Sequence, residues 1–140
     1  MNDIVINKIQ SIQRCVFRAR EEYSKSPDTF ESDYTQQDAT LLNILRACET
    51  AIDLANHLIK HHKLGVPTAS ANGFELLHKG GVIDANMAAA LKRMVSFRNT
   101  AIHQYDNLDI TIVKDVVLHR MDDLIHFTDI VIQYEQEYMP

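Results

Sequence analysis

Eight consecutive residues, Arg98-Asn99-Thr100-Ala101-Ile102-His103-Gln104-Tyr105, gather a permanent cation, an amide, an imidazole and a phenol in one short stretch. Those groups suit cleavage of RNA without a metal ion. An imidazole titrates near neutral pH, so His103 can take the proton from a ribose 2′-hydroxyl or give one to the leaving oxygen. The planar guanidinium of Arg98 offers a fork of donors to the charge that grows on the phosphorane. Asn99 is placed to orient the phosphate or its neighbours. On an unbroken helix, Arg98 and His103 stand about 140° apart around the axis, whereas Asn99 and His103 share a face. Bringing Arg98 and His103 onto one phosphate therefore requires a bend or a second subunit. A two-fold dimer would supply two histidines, one as base and one as acid. The same residues also have a purely structural reading, in which Arg98 complements the dipole at a helix end, Asn99 terminates the helix and His103 sits in a loop.

Other groups invite comparison. Asp53, His57 and His61 recur at i, i+4 and i+8, a spacing that can present ligands to a divalent ion, with His62 next to them. A solvated helix face with histidines near its C-terminus has the same pattern, and no metal or cofactor is expected. Met87, Met94 and Met121 read as core fillers. Cys15 and Cys48 fall inside apolar stripes without CxxC spacing, as reduced core thiols do. The chain has no glycine-rich phosphate loop, no GxSxG and no HExxH.

The elements that must position these groups are helices. Only 4 Gly and 3 Pro interrupt 140 residues, and no segment alternates with period two. Ile6, Ile9, Ile12, Val16 and Ala19 mark one face of a helix from about Asp3 to Tyr23, which Lys25-Ser26-Pro27-Asp28 breaks. A long second helix is expected from Ser32 or Asp33 to about His62, with Leu41, Leu45, Cys48, Ile52, Ala55 and Ile59 inward. Gly65-Val66-Pro67 ends it, and Ser70 suits the N-cap of a short third helix carrying Phe74, Leu76 and Leu77 up to Gly80-Gly81. Asp84 caps a fourth helix through Met87, Ala90, Leu91, Met94, Val95 and Phe97. Asp109 caps the last one, with Val116, Val117, Met121, Leu124, Ile125, Thr128, Val131 and Ile132 in register to about Glu137. The expected fold is an all-α, antiparallel up-and-down bundle of four main helices plus one short helix, forming a single domain over residues 1–140.

A formal charge of −5 argues against indiscriminate coating of nucleic acid and requires a local basic patch, for which Lys92 and Arg93 are the nearest neighbours of Arg98 in sequence. Lys8, Arg14, Arg18 and Arg20 crowd the first helix. Asp106, Asp109, Asp115, Asp122, Asp123, Asp129, Glu135 and Glu137 make the far end acidic, a surface for a basic partner. Polar residues interrupt the opening Met1-Asn2-Asp3-Ile4-Val5-Ile6-Asn7-Lys8, unlike a secretory signal. No stretch approaches the roughly 18 apolar residues of a membrane span, so a cytoplasmic setting is expected.

Arg98-Asn99, three residues and then His103-Gln104-Tyr105 resemble the R-x4-H-x-Y signature of HepT-like HEPN toxins, which pair with a minimal nucleotidyltransferase (MNT) antitoxin. Leu64-Gly65-Val66-Pro67, Phe74-Glu75-Leu76-Leu77, Gly81-Val82-Ile83 and Leu91-Lys92-Arg93-Met94-Val95-Ser96-Phe97 are similar to the family's approach to that signature. With the opening helix, the likeness covers nearly the whole chain. The resemblance implies a homodimeric endoribonuclease toxin with the two signatures facing one another. It further implies that Arg98 and His103 are catalytic, that Asn99 supports them, and that the antitoxin modifies Tyr105 with AMP. Some HEPN domains bind partners without cleaving RNA, so a noncatalytic helical adaptor is the competing reading.

Overall fold

The first helix, α1, spans Asp3–Lys25, and its start is fixed by Asn2, whose side chain accepts a hydrogen bond from the Val5 amide at 2.9 Å. These features belong to a computed structural model that describes residues 2–138, with Tyr105 described in its backbone alone. Val5, Ile9, Ile12, Val16, Ala19 and Tyr23 are buried along α1. Val5 takes the first core position in place of the expected Ile6, which is half-buried.

Lys25-Ser26-Pro27 ends α1, and a single 3₁₀ turn over Pro27–Thr29 leads to α2, Tyr34–His62. Asp33 caps α2 by accepting from the Gln36 amide at 3.0 Å. The buried Gln36 side chain then closes the hairpin, its amide nitrogen donating to the carbonyls of Glu22, Tyr23 and Ser26 at 3.1, 3.1 and 3.0 Å. Those carbonyls end a helix and would otherwise lack partners. The pairing fixes α1 and α2 antiparallel. α2 is the scaffold of the bundle, packing against α1, α3, α4 and α6.

Lys63, in the left-handed conformation at φ 56°, stops α2 two residues before Gly65. α3 covers Asn72–Lys79, and its cap differs from expectation: Ala71 holds the N-cap position without a side-chain bond, and Ser70 makes none. The Asn72 side chain instead accepts from the Thr68 amide, bracing the preceding loop. Gly81, at φ 80°, makes the turn into α4, Ala85–His103, which Asp84 caps through the Met87 amide at 2.7 Å. A 3₁₀ turn, Tyr105–Asn107, and a cap by Asp109 on the Thr111 amide introduce α5, Ile110–Asp115.

The last expected helix is one rod with a wide turn in it, since a π segment, Val116–Arg120, joins α5 to α6, Met121–Tyr138. Val113, Val116, Val117 and Met121 through the wide turn, and Leu124, Phe127, Thr128 and Val131 beyond it, keep one side of the rod in the core. The described residues are all-α, with no strand among them. None of their helices is long and apolar enough to cross a membrane.

Glu135 is a correction to the acidic far end. It is fully buried on α6, and its carboxylate meets Nε2 of His62, at the end of α2, at 2.6 Å. The His62 ring packs edge-on against Tyr134 and Tyr138, and the second Glu135 oxygen is buried without a partner among the described residues. Removing one member of such a pair leaves the other buried without its partner. His62→Ala is therefore expected to lower unfolding stability by about 3 kcal/mol, with a smaller loss for Glu135→Gln, as read from urea denaturation midpoints. Equal, sub-kilocalorie losses for both would show that the pair does not tie α2 to α6.

Candidate active site

α4 runs unbroken through Arg98 and His103, and the Gln104 amide closes its last turn on the Thr100 carbonyl. The bend that would bring Arg98 onto His103 within one chain is therefore absent. Five residues of continuous helix separate them by about 140° and about 7.5 Å of rise.

Arg98 faces α2. Its Nη2 donates to both carboxylate oxygens of Glu49, at 2.7 Å to Oε2, and its Nη1 donates to the Asn99 side-chain oxygen at 2.8 Å. Asn99 thus acts first on the guanidinium, holding one edge of it while Glu49 holds the other. The Nε–H of Arg98 is buried and has no partner among the described residues. His103 is exposed in the last turn of α4. The Tyr105 side chain, expected to be the AMP acceptor, lies outside the described residues; its backbone starts the 3₁₀ turn two residues beyond His103.

Arg98 and Ile102 form one wall of an open groove of about 300 Å³. Ser11 and Cys15 of α1 and Leu45, Arg46, Glu49 and Thr50 of α2 complete it. Past Ile102 the surface continues into an apolar groove of about 450 Å³ lined by Asp38, Leu41, Leu42, Leu45, Ala101 and Ile102. Leu41 and Leu45, expected to face the core, are only half-buried and line these grooves instead. At that level the core positions of α2 belong to Thr40, Ile44 and Ala47.

Cys48 adjoins Glu49 but faces inward. Burial pushes its thiol up to about 12, against the opposing pull of Arg98, so it stays protonated and is no nucleophile for this site. Lys92 is ion-paired with Glu75 of α3, and Arg93 is exposed. On α4 both stand more than about 100° from Arg98, so one chain does not gather them around its groove. Lys92 shares its stripe with Asn99 and His103.

Among the described residues no group of three or more His, Cys, Asp or Glu side chains is arranged to hold a metal ion. The candidate ligands His57 and His61 stack ring on ring at 6.0 Å, and His57 lies 3.3 Å from the Asn2 side-chain amide. Burial, then the neighbouring His61 and Lys8, hold His57 below the usual imidazole range, with Glu135 opposing.

Glu49 and Arg46 were not singled out in the sequence. Glu49 carried a usable signal: it follows Leu45 by four and precedes Ile52 by three, so an acid interrupts an apolar stripe and calls for a cationic partner.

The family model described as Ribonuclease HepT-like matches residues 7–131. The chain belongs to the HepT-like family. That places it among ribonucleases, with the HEPN fold. The chain is 41% identical over 131 residues to the mRNA nuclease HepT of Shewanella oneidensis, covering 94% of this chain and 98% of that protein. A putative RNase of Archaeoglobus fulgidus is 30% identical over 82 residues, 59% of this chain and 58% of that one. The HepT-like fold here superposes on a solved tri-AMPylated Shewanella oneidensis HEPN toxin in complex with its MNT antitoxin. The TM-score is 0.88 at 41% identity, over 94% of this chain and 98% of that chain. A second toxin–antitoxin structure, with AMP-PNP, gives 0.88 at 40% identity over 94% and 99%.

Proposed function

We propose that this HepT-like chain is the cytoplasmic toxin of a toxin–antitoxin pair, a metal-independent endoribonuclease whose cleft forms between two copies of the chain. Arg98 and His103 are its catalytic residues, Asn99 supports Arg98, and Tyr105 is the AMP acceptor for a cognate MNT-type nucleotidyltransferase antitoxin. One observation carries the reading: a half-buried arginine, pinned by Glu49 and Asn99, lies on the same rigid helix as an exposed histidine that points elsewhere. Neither residue completes a site alone. A two-fold axis beside α4 would place both histidines and both arginines around one phosphate.

In that cleft one His103 removes the proton of the ribose 2′-hydroxyl, and the 2′-oxygen attacks phosphorus. The bond to the 5′-oxygen breaks as the second His103 protonates it, leaving a 2′,3′-cyclic phosphate and a 5′-hydroxyl. Arg98 neutralises charge on the non-bridging oxygens with donors that the Glu49 contact leaves free. Lys92, on the His103 side of α4, and the exposed Arg93 meet flanking phosphates.

The test is end-group analysis of an oligoribonucleotide incubated with the purified protein in excess EDTA. Cleavage is expected to persist, to yield cyclic phosphate ends, and to stop at a nucleotide whose 2′-hydroxyl is replaced by hydrogen. Loss of cleavage on chelation, or cleavage of the 2′-deoxy position, would overturn the mechanism.

A further inference from the structure

Arg46 of α2 lines the same groove as Arg98, and so do Ser11 and Cys15 of α1. Along α1, Arg14 follows Ser11 by three residues, and Arg18 follows Cys15 by three and Ser11 by seven. Arg18 therefore stands on the flank of α1 that borders the groove, and Arg14 one step outward on the solvent face, within reach of a strand that crosses it. In the antiparallel hairpin of α1 and α2, Arg18 reaches the level of the apolar groove past Ile102. Arg14, Arg18 and Arg46 are all exposed. No ion pair engages any of them among the described residues, whereas Arg20 on the next stripe is tied to Asp122.

Of the acids nearby, the exposed Glu21, three residues past Arg18, and Asp53, seven past Arg46, flank the cluster and are the two that keep their charge free among the described residues. Glu49 is taken by Arg98, and Glu22 by Lys25 at 2.7 Å. Asp38 stands at the far end of the apolar groove. Three free guanidinium groups beside a candidate catalytic arginine, on a chain of net charge −5, concentrate positive potential at one place. Arg14 and Arg18 are about 6 Å apart along the helix axis, a spacing that lets them address successive phosphates of an extended strand.

We infer that Arg14, Arg18 and Arg46 form a phosphate-binding track that grips single-stranded RNA and leads it to Arg98. The track rests on the ribonuclease reading and adds what that reading lacks, the surface that draws a polyanion to an acidic protein. Lys92 and Arg93, on other faces of α4, contribute at most beyond the cleft.

The experiment measures binding of a fluorescein-labelled single-stranded oligoribonucleotide between 50 and 200 mM salt. It uses His103→Ala protein, so that cleavage does not intervene. Adding Arg14→Ala, Arg18→Ala and Arg46→Ala together is expected to flatten the plot of log affinity against log salt by about 2 units. The triple variant should then lose about 20-fold less affinity across that range. The matching triple lysine variant keeps the charges and is expected to restore the slope. An unchanged slope in the alanine variant, with the unsubstituted protein still cleaving RNA, would overturn the track alone. Failure of the unsubstituted protein to cleave and of His103→Ala protein to bind would overturn the ribonuclease reading with it. Loss of antitoxin capture with an unchanged slope would give the surface to an acidic protein face and also overturn the track.

Discussion

A dimer in which only one of the two chains carries His103→Ala is expected to cleave RNA at least about 100-fold more slowly than the unsubstituted dimer, not half as fast. The reasoning starts from the rigidity of α4. Because the helix is continuous from Ala85 to His103, one chain cannot fold its own imidazole back onto its own guanidinium. If the two copies share one cleft, that cleft needs both imidazoles at once, one deprotonated and one protonated, and deleting either removes half of the acid–base pair. Two independent sites would instead leave one intact. The symmetric Arg98→Ala dimer is expected to lose about 10²- to 10³-fold in kcat, the usual consequence of deleting a donor aimed at developing charge. His103 is exposed and Arg98 only half-buried, so neither change opens the core, and circular dichroism should be unaltered. Mixed dimers are obtained by co-expressing two differently tagged chains and purifying through both tags in turn. Half-maximal activity in the mixed dimer would show that each chain holds a complete site.

Much of this architecture is written in local rules. Asp33, Asp84 and Asp109 each sit one residue before a helix and accept from an amide two or three residues on, so the caps could be read from residue type alone. The core face of α4 followed equally well, because Met87, Leu91, Met94 and Val95 repeat with helical period and no other element competes for them. The misreadings share a different cause. Leu41 and Leu45 are apolar and in register, yet they line a groove, because periodicity reports which residues prefer burial and not whether a neighbouring helix covers them. Glu135 is an acid, yet fully buried, because it meets a partner, His62, that stands 73 residues away. The Arg98–Glu49 contact joins α4 to α2 across a gap of 49 residues, and only the tertiary fold brings the two together. The π segment was equally hidden. Nothing in the apolar spacing marks it, since the same steps of four run through Met87, Leu91 and Val95 in a regular helix.

Transfer of AMP to Tyr105 by a cognate nucleotidyltransferase is expected to suppress RNA cleavage by at least about 100-fold, as great a loss as deleting an acid–base group, and Tyr105→Phe to escape it. Position and charge together give the reason. The backbone of Tyr105 follows the end of α4 directly, two residues past His103, so under the proposed function the acceptor is a close chain neighbour of the catalytic histidine. If the cleft attracts a polyanion as proposed, each added AMP sets bulk and a negative phosphate against it. On a chain whose net charge is already −5, that addition opposes Arg98 and the neighbouring arginines directly. Steric exclusion and electrostatic repulsion then act in the same direction, and they separate by salt. Raising ionic strength should recover part of the affinity of modified protein for RNA but none of its turnover if the added group also fills the cleft. Intact mass spectrometry after incubation with the nucleotidyltransferase and ATP should show added AMP on unsubstituted protein and none on Tyr105→Phe, which should go on cleaving. If Tyr105→Phe protein still gains AMP and falls silent, the acceptor lies elsewhere. If modified protein cleaves at full rate, occupancy of this phenol does not control the cleft.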